Sequence, residues 1–138
     1  MLEVKIFTLY PDLFPGPLDI GIFKKAKENK IWNLKVINIR DYSKDNHGTV
    51  DDTPFGGGSG MLLRPDILAS ALDKNIKKGE KIIYLSPRGK KFDQNVARSL
   101  SKEKNLNLIC GHFEGVDQRL LETRNIEEYS LGDFVLSG

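Results

Sequence analysis

The 138-residue sequence predicts an α/β domain with an open, mostly parallel sheet and helices on both of its faces. Short apolar segments rich in strand formers alternate with amphipathic segments of helical period. Turns bounded by glycine or proline separate these segments. The length is that of one ordinary domain, and no internal repeat or low-complexity linker divides it. One domain spanning residues 1–138 is therefore expected.

The first half of the chain predicts two strands and two helices. Leu2–Leu9 alternates apolar and polar residues and predicts a strand, and Leu34–Ile39 predicts a second one. Between them, Leu18–Lys30 predicts a helix whose apolar positions are Leu18, Ile22, Phe23 and Ala26. The stretch Arg40–Gly60 has no regular period, and such long loops are usually functional or mobile. Pro65 then opens a helix whose buried stripe is expected to be Ile67, Leu68, Ala71 and Leu72.

The second half predicts strands that each run into a turn. Lys81–Leu85 predicts a strand and Ser86–Lys91 a turn; Phe92–Ser101 predicts a helix. Leu106–Cys110 predicts another buried strand, and Gly111–Gly115 a glycine-bounded turn. Asp117–Thr123 predicts a helix with Asp117 as its N-cap. The last segment, Tyr129–Gly138, is apolar and punctuated by glycine.

Composition excludes several classes of protein. No apolar run approaches the roughly 20 residues of a membrane span, and the N-terminal segment reads as a strand rather than a signal peptide. The single cysteine, Cys110, excludes an internal disulfide framework and fits the reducing cytoplasm. The net charge is only +2, but residues 73–104 carry ten basic and four acidic side chains. This basic segment could follow a phosphate backbone, or it could be a solvated lysine-rich face.

Three turns follow the predicted strands and could form one ligand site. They begin at Tyr84, Cys110 and Ser130. Ligands of open α/β sheets bind outside the carboxyl ends of the strands. Each turn combines glycine, which allows close approach to the backbone, with an apolar or aromatic residue that could flank a flat ring. Taken singly, each is more often only a tight turn, but three at one sheet edge favour a site for an adenine and a ribose.

The segment from Thr49 to Met61 is rich in glycine, with four glycines in five positions. Ordering so many glycines is entropically costly, which favours a mobile loop that contacts substrate over a structural one. Asp51 and Asp52 could accept hydrogen bonds from a base edge or could brace the loop. The sequence contains no GxGxxG, P-loop or GxSxG motif, and its only histidines, His47 and His112, show no metal-ligand spacing.

Four collinear segments carry a resemblance to a known family. They are VDDTPFGGGSGM (50–61), YLSPRGKKFDQ (84–94), CGHFEGVDQR (110–119) and EEYSLGDFVLSG (127–138). Together they resemble the N-terminal domain of the bacterial tRNA (guanine37-N1)-methyltransferases, the TrmD family of the SPOUT superfamily. The resemblance runs over essentially the whole chain in the family's order and spacing.

The resemblance implies a fold, a reaction and partners. The fold is an α/β domain whose C-terminal segment threads a trefoil knot. The reaction transfers a methyl group from S-adenosylmethionine to N1 of the guanine next to the anticodon of tRNA. The family works as a homodimer in the cytoplasm, with magnesium assisting transfer, and no metal ligand is assigned in this chain.

The resemblance also implies site residues at the positions that match the family. The expected cofactor-binding residues are Tyr84, Leu85, Ser86, Pro87, Gly89, Gly111, Phe113, Glu114, Gly115, Ser130, Leu131, Gly132, Phe134, Val135, Leu136 and Gly138. Glu114 would also lie beside the target base and support catalysis, or it could only brace its turn. The residues expected to cover the guanine are Asp51, Gly56, Gly57 and Gly58.

The sequence departs from the family at two levels. Arg88 stands where glutamine is common, and Phe55, Phe113 and Phe134 stand where tyrosine is frequent, so this chain lacks those three tyrosine hydroxyls. The family's general base, an aspartate, and its tRNA-binding C-terminal domain are expected beyond Gly138. We therefore expect an incomplete knot with a frayed end and a chain that is inactive alone. The alternative is a stand-alone module that binds S-adenosylmethionine or RNA without catalysis; another SPOUT methyltransferase with a different RNA target is disfavoured by the glycine loop.

Overall fold

The computed structural model describes residues 1–43, 51–52, 62–110 and 116–132. The strands are β1 (Leu2–Thr8), β2 (Trp32–Asn38), β3 (Asp51–Asp52), β4 (Leu62–Leu63), β5 (Lys81–Lys91), β6 (Asn105–Cys110) and β7 (Ile126–Ser130). The α-helices are α1 (Gly21–Glu28), α2 (Pro65–Asn75), α3 (Gln94–Ser101) and α4 (Gln118–Thr123). Short 3-10 helices cover Pro11–Leu13, Gly16–Asp19 and Ile39–Tyr42.

Five strands form one open sheet in the order β2-β1-β6-β5-β7, and all of its pairings are parallel. The predicted open parallel sheet is thus confirmed. The two short strands β3 and β4 pair antiparallel outside it. Crossovers between parallel strands are right-handed, so α2 and α4 lie on one face of the sheet while α1 and α3 lie on the other.

The main core lies on the face covered by α2 and α4. The four residues predicted as the buried stripe of α2 are all buried there. They pack with Phe7 of β1, Ile109 of β6 and Leu120 of α4. Ile6, Ile83 and Leu100 are buried outside this cluster, because Ile6 and Ile83 point to the opposite face of the sheet.

The prediction for the first helix is wrong in its bounds. The α-helix begins at Gly21 rather than Leu18 and buries no residue. Ile22 is 77% exposed and Phe23 51% exposed, so the apolar stripe does not reach the core. Before α1, residues Gly16–Asp19 form a short 3-10 helix that follows Pro15 and includes Pro17, because proline restricts the backbone there and does not allow a longer α-helix.

The predicted turn Ser86–Lys91 belongs to β5, which continues to Lys91. The register with β7 shifts there, because both Leu85 and Lys90 pair with Tyr129. Residues 86–89 therefore form an irregular bulge within β5, and the strand resumes its pairing with β7 after them; this bulge is what the first predicted turn corresponds to. The predicted irregular stretch from Arg40 also contains structure, a 3-10 helix at its start and the short strand β3.

Other element bounds differ by small shifts. Strand β2 begins at Trp32 and helix α3 at Gln94. Strand β7 spans Ile126–Ser130 and so overlaps the predicted apolar segment Tyr129–Gly138 at Tyr129 and Ser130. The expectation of an incomplete knot rests on residues 133–138, which lie outside the described ranges. Within those ranges, no helix is long and apolar enough to cross a membrane.

Candidate functional site

The carboxyl ends of β5, β6 and β7 lie side by side in the sheet. After β5 the chain passes to α3 on one face, and after β6 it passes to α4 on the other. Neighbouring strands whose connections diverge in this way open a crevice at the edge of the sheet, where ligands of α/β proteins bind. The first and third predicted turns meet here, since Lys91 pairs with Ser130 and the Phe92 amide donates to the Ser130 carbonyl at 2.7 Å.

The first turn is held by a buried serine. Ser86 is buried, and its Oγ accepts a hydrogen bond from the Arg88 amide at 3.1 Å. A serine hydroxyl that bonds the backbone two residues on closes a tight turn. Tyr84 is half-buried before the turn, and Leu85 is 48% exposed. An aromatic ring and an apolar side chain thus border the crevice.

Gly89 lies directly against the backbone of β7. A Cβ atom there would come within 2.5 Å of the Glu128 carbonyl carbon and of the Tyr129 nitrogen. A side chain at this position would push the first turn away from the strand. The glycine predicted from the family motif is therefore explained by close packing of two backbones.

A second serine shapes the start of the third turn. Ser130 Oγ donates to the Gly132 carbonyl at 2.8 Å and accepts from the Gly132 amide at 3.2 Å. Leu131, between them, is 51% exposed. The backbone of this turn is therefore ordered by its own side chain, with an apolar residue directed to its exterior.

The second turn starts from Cys110, the last residue of β6, and the described chain resumes at the buried Val116. Burial raises the pKa of the Cys110 thiol, so this cysteine stays neutral. Asp117 caps α4, with its carboxylate accepting from the Arg119 amide at 2.8 Å, as predicted. The hydrogen bonds of Arg119 to Asp117 lower the pKa of that carboxyl.

Arg88 and Glu128 connect the elements around the crevice, although the sequence had not identified them as site residues. Arg88 Nη2 donates to Oε1 of Gln118 on α4 at 3.4 Å and lies 3.8 Å from Glu128 Oε2 on β7. The second distance makes an ion pair but is too long for a hydrogen bond. Glu128 Oε2 is buried and has no hydrogen-bond partner among the residues that the structure describes. A buried acceptor left without a partner costs about 1–3 kcal/mol, more when charged.

The two adjacent glutamates of β7 face opposite sides of the sheet and differ in their surroundings. Glu127 accepts from Lys81 Nζ and from the Tyr129 hydroxyl, each at 2.8 Å. Burial opposes ionisation of Glu127, but these two hydrogen bonds outweigh it and lower the pKa of the carboxyl. Glu128 instead pairs in register with Tyr84, and within the described ranges its Oε2 has no hydrogen-bond donor. Burial, followed by the charge of Glu128, raises the pKa of the Tyr84 hydroxyl, which therefore stays protonated.

Of the remaining predicted residues, Pro87 lies exposed within the first turn, and the others are not described apart from the backbone of Asp51. The backbone of Asp51 pairs with Leu63 in the short antiparallel ladder, and its side chain is not described. The predicted site residues outside the described ranges are Gly56, Gly57, Gly58, Gly111, Phe113, Glu114, Gly115, Phe134, Val135, Leu136 and Gly138. The structure brings together the members of the first and third turns that it describes.

A separate cavity of about 390 Å³ lies at the other edge of the sheet, where β5 and β7 begin. Its lining includes Lys81 and Arg124, which already pair with Glu127 and Asp73. Paired charges of this kind are typical of structural contacts, so we place the site at the carboxyl edge. In the described ranges, no group of three or more His, Cys, Asp or Glu could hold a metal ion.

Comparison with known proteins identifies the family. The model of the tRNA (guanine-1)-methyltransferase TrmD family matches residues 2–138. The chain belongs to this family. It is 68% identical over its whole length to the tRNA (guanine-N(1)-)-methyltransferase of Pelagibacter ubique, covering 60% of that protein. It is 47% identical to the enzymes of that name from Wolbachia pipientis and Alkaliphilus oremlandii, covering 58% and 57% of them.

Family membership confirms the resemblance drawn from the four motifs. The chain spans about 60% of the length of these relatives. The elements around the crevice all lie within the segment that the family model matches.

Proposed function

We propose that this chain forms the S-adenosylmethionine-binding part of a tRNA (guanine-N1)-methyltransferase, which transfers a methyl group to N1 of the guanine next to the anticodon. The observation that carries the proposal is the meeting of the first and third turns at the carboxyl edge of the sheet. The family's methyl-transfer chemistry requires a methyl donor, and this edge is where an α/β sheet binds a nucleoside.

The described residues fit the chemistry of S-adenosylmethionine. Tyr84 and the exposed Leu85 and Leu131 supply apolar surface for an adenine ring. The two serine-shaped turns present backbone donors and acceptors for the base edge and ribose. Glu128 adds a buried carboxylate with an unused oxygen, which suits a cationic ligand. We assign cofactor contacts to all the turn residues predicted above, including those outside the described ranges.

When bound, S-adenosylmethionine supplies the methyl group. The residues of this chain would orient the cofactor and exclude water around it, and orientation alone can contribute several kcal/mol to a transfer reaction. The proton on guanine N1 must also leave, and a positioned base typically contributes 10²–10⁴-fold. We assign no base among these residues, and we propose that Glu114 supports the reaction by steering the guanine or the cationic sulfonium.

The glycine-rich segment is proposed to cover the target guanine. Asp51 would accept hydrogen bonds from the base edge, and Gly56, Gly57 and Gly58 would allow the backbone to approach it closely. The antiparallel pairing of β3 with β4 supports this role, because it ties both ends of the segment together.

We also propose that the protein works as a homodimer in the cytoplasm, with the SPOUT knot completing the cofactor site and magnesium assisting transfer. Exposed apolar side chains support the dimer. Leu13, Ile20 and Ile22 are 66%, 67% and 77% exposed, and Ile31 is 63% exposed. Exposed apolar side chains that lie together mark interaction surfaces, and we propose that these four form such a surface. Sedimentation at micromolar concentration measures the state directly, and a monomer at every concentration would contradict the dimer.

Calorimetric titration of this chain with S-adenosylmethionine tests the cofactor site. We expect one site per chain with micromolar affinity. The variant Ser101→Ala, at the C-terminal end of helix α3 and so at the end away from the crevice, should bind equally well. Folded protein that gives no heat with the cofactor would refute the site. Incubation with unmodified tRNA and mass-spectrometric mapping then tests the reaction. A methyl group on guanine N1 would identify the enzyme, whereas cofactor binding without transfer agrees both with the expectation of a chain that is inactive alone and with the alternative of a binding module.

A further inference from the structure

Glu128 lies on the core face of β7, beside the first turn and α4. Its register partner is Tyr84, and Ile126, which faces the same side of the strand, belongs to the core cluster. The side chain is only 19% exposed. Burying a carboxylate costs free energy unless a cation or hydrogen-bond donors contact it.

The partners present do not satisfy this carboxylate. Arg88 stops 3.8 Å from Oε2, whereas a hydrogen-bonded arginine–carboxylate contact closes to about 2.7–2.9 Å. Arg88 is itself 66% exposed, and its hydrogen bond goes to Gln118. The neighbouring Glu127 shows what a satisfied carboxylate looks like in this strand, with two donors at 2.8 Å. Glu128 therefore has an unused acceptor on the side of the crevice.

We infer that Glu128 is a binding residue for the cationic part of the ligand, and that its negative charge favours S-adenosylmethionine over uncharged adenosine derivatives. This inference rests on the proposed function, because it assigns a residue within that cofactor site. S-adenosylmethionine carries a sulfonium and an ammonium group, whereas S-adenosylhomocysteine keeps only the ammonium. A carboxylate without a hydrogen-bond donor is suited to pair with either cation.

The test is calorimetry of the full chain with S-adenosylmethionine and with S-adenosylhomocysteine, for the unchanged protein and three variants. Glu128→Gln keeps the shape and an acceptor but removes the charge. Glu127→Gln is the matched control, one residue away on the opposite face. Arg88→Gln removes the competing cation and places the residue common in the family.

We expect Glu128→Gln to weaken S-adenosylmethionine binding by about tenfold or more and Glu127→Gln to change it by less than about threefold. Arg88→Gln should leave binding equal or tighter, because the carboxylate then has no other cation. A loss confined to S-adenosylmethionine assigns the sulfonium, and an equal loss for both ligands assigns the ammonium; either supports the inference.

Two results would overturn the inference while leaving the proposed function standing. Unchanged affinity of Glu128→Gln would show that the charge is not used. Equal weakening by Arg88→Gln and Glu128→Gln would show that Glu128 only holds Arg88 in place. Denaturation curves check that each variant folds. If Glu128→Gln does not fold, the affinity of Arg88→Gln for S-adenosylmethionine decides alone: equal or tighter binding supports Glu128 as a ligand-binding residue, and weaker binding shows that it only holds Arg88. Absence of binding by the unchanged protein would instead refute the cofactor site itself.

Discussion

Arg124 and Asp73 form a two-pronged ion pair that joins the end of α4 to α2. Nε donates to Oδ1 at 2.8 Å and Nη2 donates to Oδ2 at 2.9 Å. The hydrogen bond from Arg124 lowers the pKa of Asp73, and the bond to Asp73 raises the pKa of Arg124. Because α4 carries Gln118 at its first turn, this pair helps to hold the wall of the crevice.

We expect Asp73→Asn to lower the free energy of unfolding at pH 7 by about 0.5–1 kcal/mol, a modest loss because both side chains are partly exposed. The folded-state pKa of Asp73 is depressed, so its contribution is present above the unfolded-state value of about 3.9 and is lost as pH falls through the folded-state value. Urea denaturation from pH 7 down to pH 2 measures the difference. If the difference in unfolding free energy between the variant and the unchanged protein were as large at pH 2 as at pH 7, this account would be contradicted.

Asn107 is fully buried in the central strand β6, where its amide donates to Glu80 Oε2 at 3.3 Å and to the Lys81 carbonyl at 3.0 Å. Asn107→Asp would place a second carboxylate beside Glu80 and remove both donors. We expect a loss of roughly 3 kcal/mol or more in the free energy of unfolding at pH 7. The new carboxyl would have a raised pKa in the folded state, so stability should recover as pH falls.

Asn95→Asp is the control for this substitution, since Asn95 lies exposed in the first turn of α3. An added negative charge there should change stability by less than about 0.5 kcal/mol or improve it, because it meets the positive end of the helix dipole. Denaturation curves of the two variants at pH 5 and pH 7 decide the matter. Similar losses in both would mean that burial of Asn107 does not control the effect.

Gly89→Ala should separate the first turn from β7. The added Cβ would meet backbone atoms at 2.5 Å, and backbone atoms cannot rotate away as a side chain does. We expect a loss of about 1–3 kcal/mol in stability and a clear loss of S-adenosylmethionine affinity. Lys90→Ala, at the exposed neighbouring position, should affect neither by much. Calorimetry and thermal unfolding of both variants provide the comparison, and an unaffected Gly89→Ala protein would be incompatible with the observed packing.

Ser130→Ala removes the hydroxyl that makes two hydrogen bonds within the third turn. The turn is partly exposed, so the free energy of unfolding should fall by no more than about 1 kcal/mol. Affinity for S-adenosylmethionine should fall several-fold, because the backbone of the turn loses its fixed shape. Ser101→Ala removes a single hydroxyl contact on α3 and should leave affinity unchanged. Equal affinities for the two variants would show that the Ser130 hydroxyl does not organise the site.

Local patterns predicted those parts of the fold that depend on nearby residues. The spacing of Ile67, Leu68, Ala71 and Leu72 predicted the buried face of α2, and all four are buried. Asp117 was predicted as the N-cap of α4 from its residue type and position, and its carboxylate caps the helix. Both signals involve residues within one or two helical turns of each other, where the geometry is nearly independent of the rest of the chain.

The same kind of pattern failed for α1, because helical period indicates an apolar face but not what covers it. Ile22 and Phe23 have the right spacing and are exposed. The turn predicted at Ser86–Lys91 was also wrong at its end, because Lys90 and Lys91 pair with the neighbouring strand β7 and so belong to the sheet. Pairing partners are set by contacts distant in sequence.

By itself, the sequence determined the α/β class, the parallel sheet and the family, because the strand period, the helix period and the order of the motifs can all be read along the chain. Only the tertiary structure decided the strand order, the packing of Gly89 on β7, and the unsatisfied oxygen of Glu128. Two adjacent glutamates look equivalent in sequence. They differ because strand alternation directs Glu127 toward Lys81 and Glu128 toward the core face, where Oε2 of Glu128 has no hydrogen-bond partner in the described part of the chain.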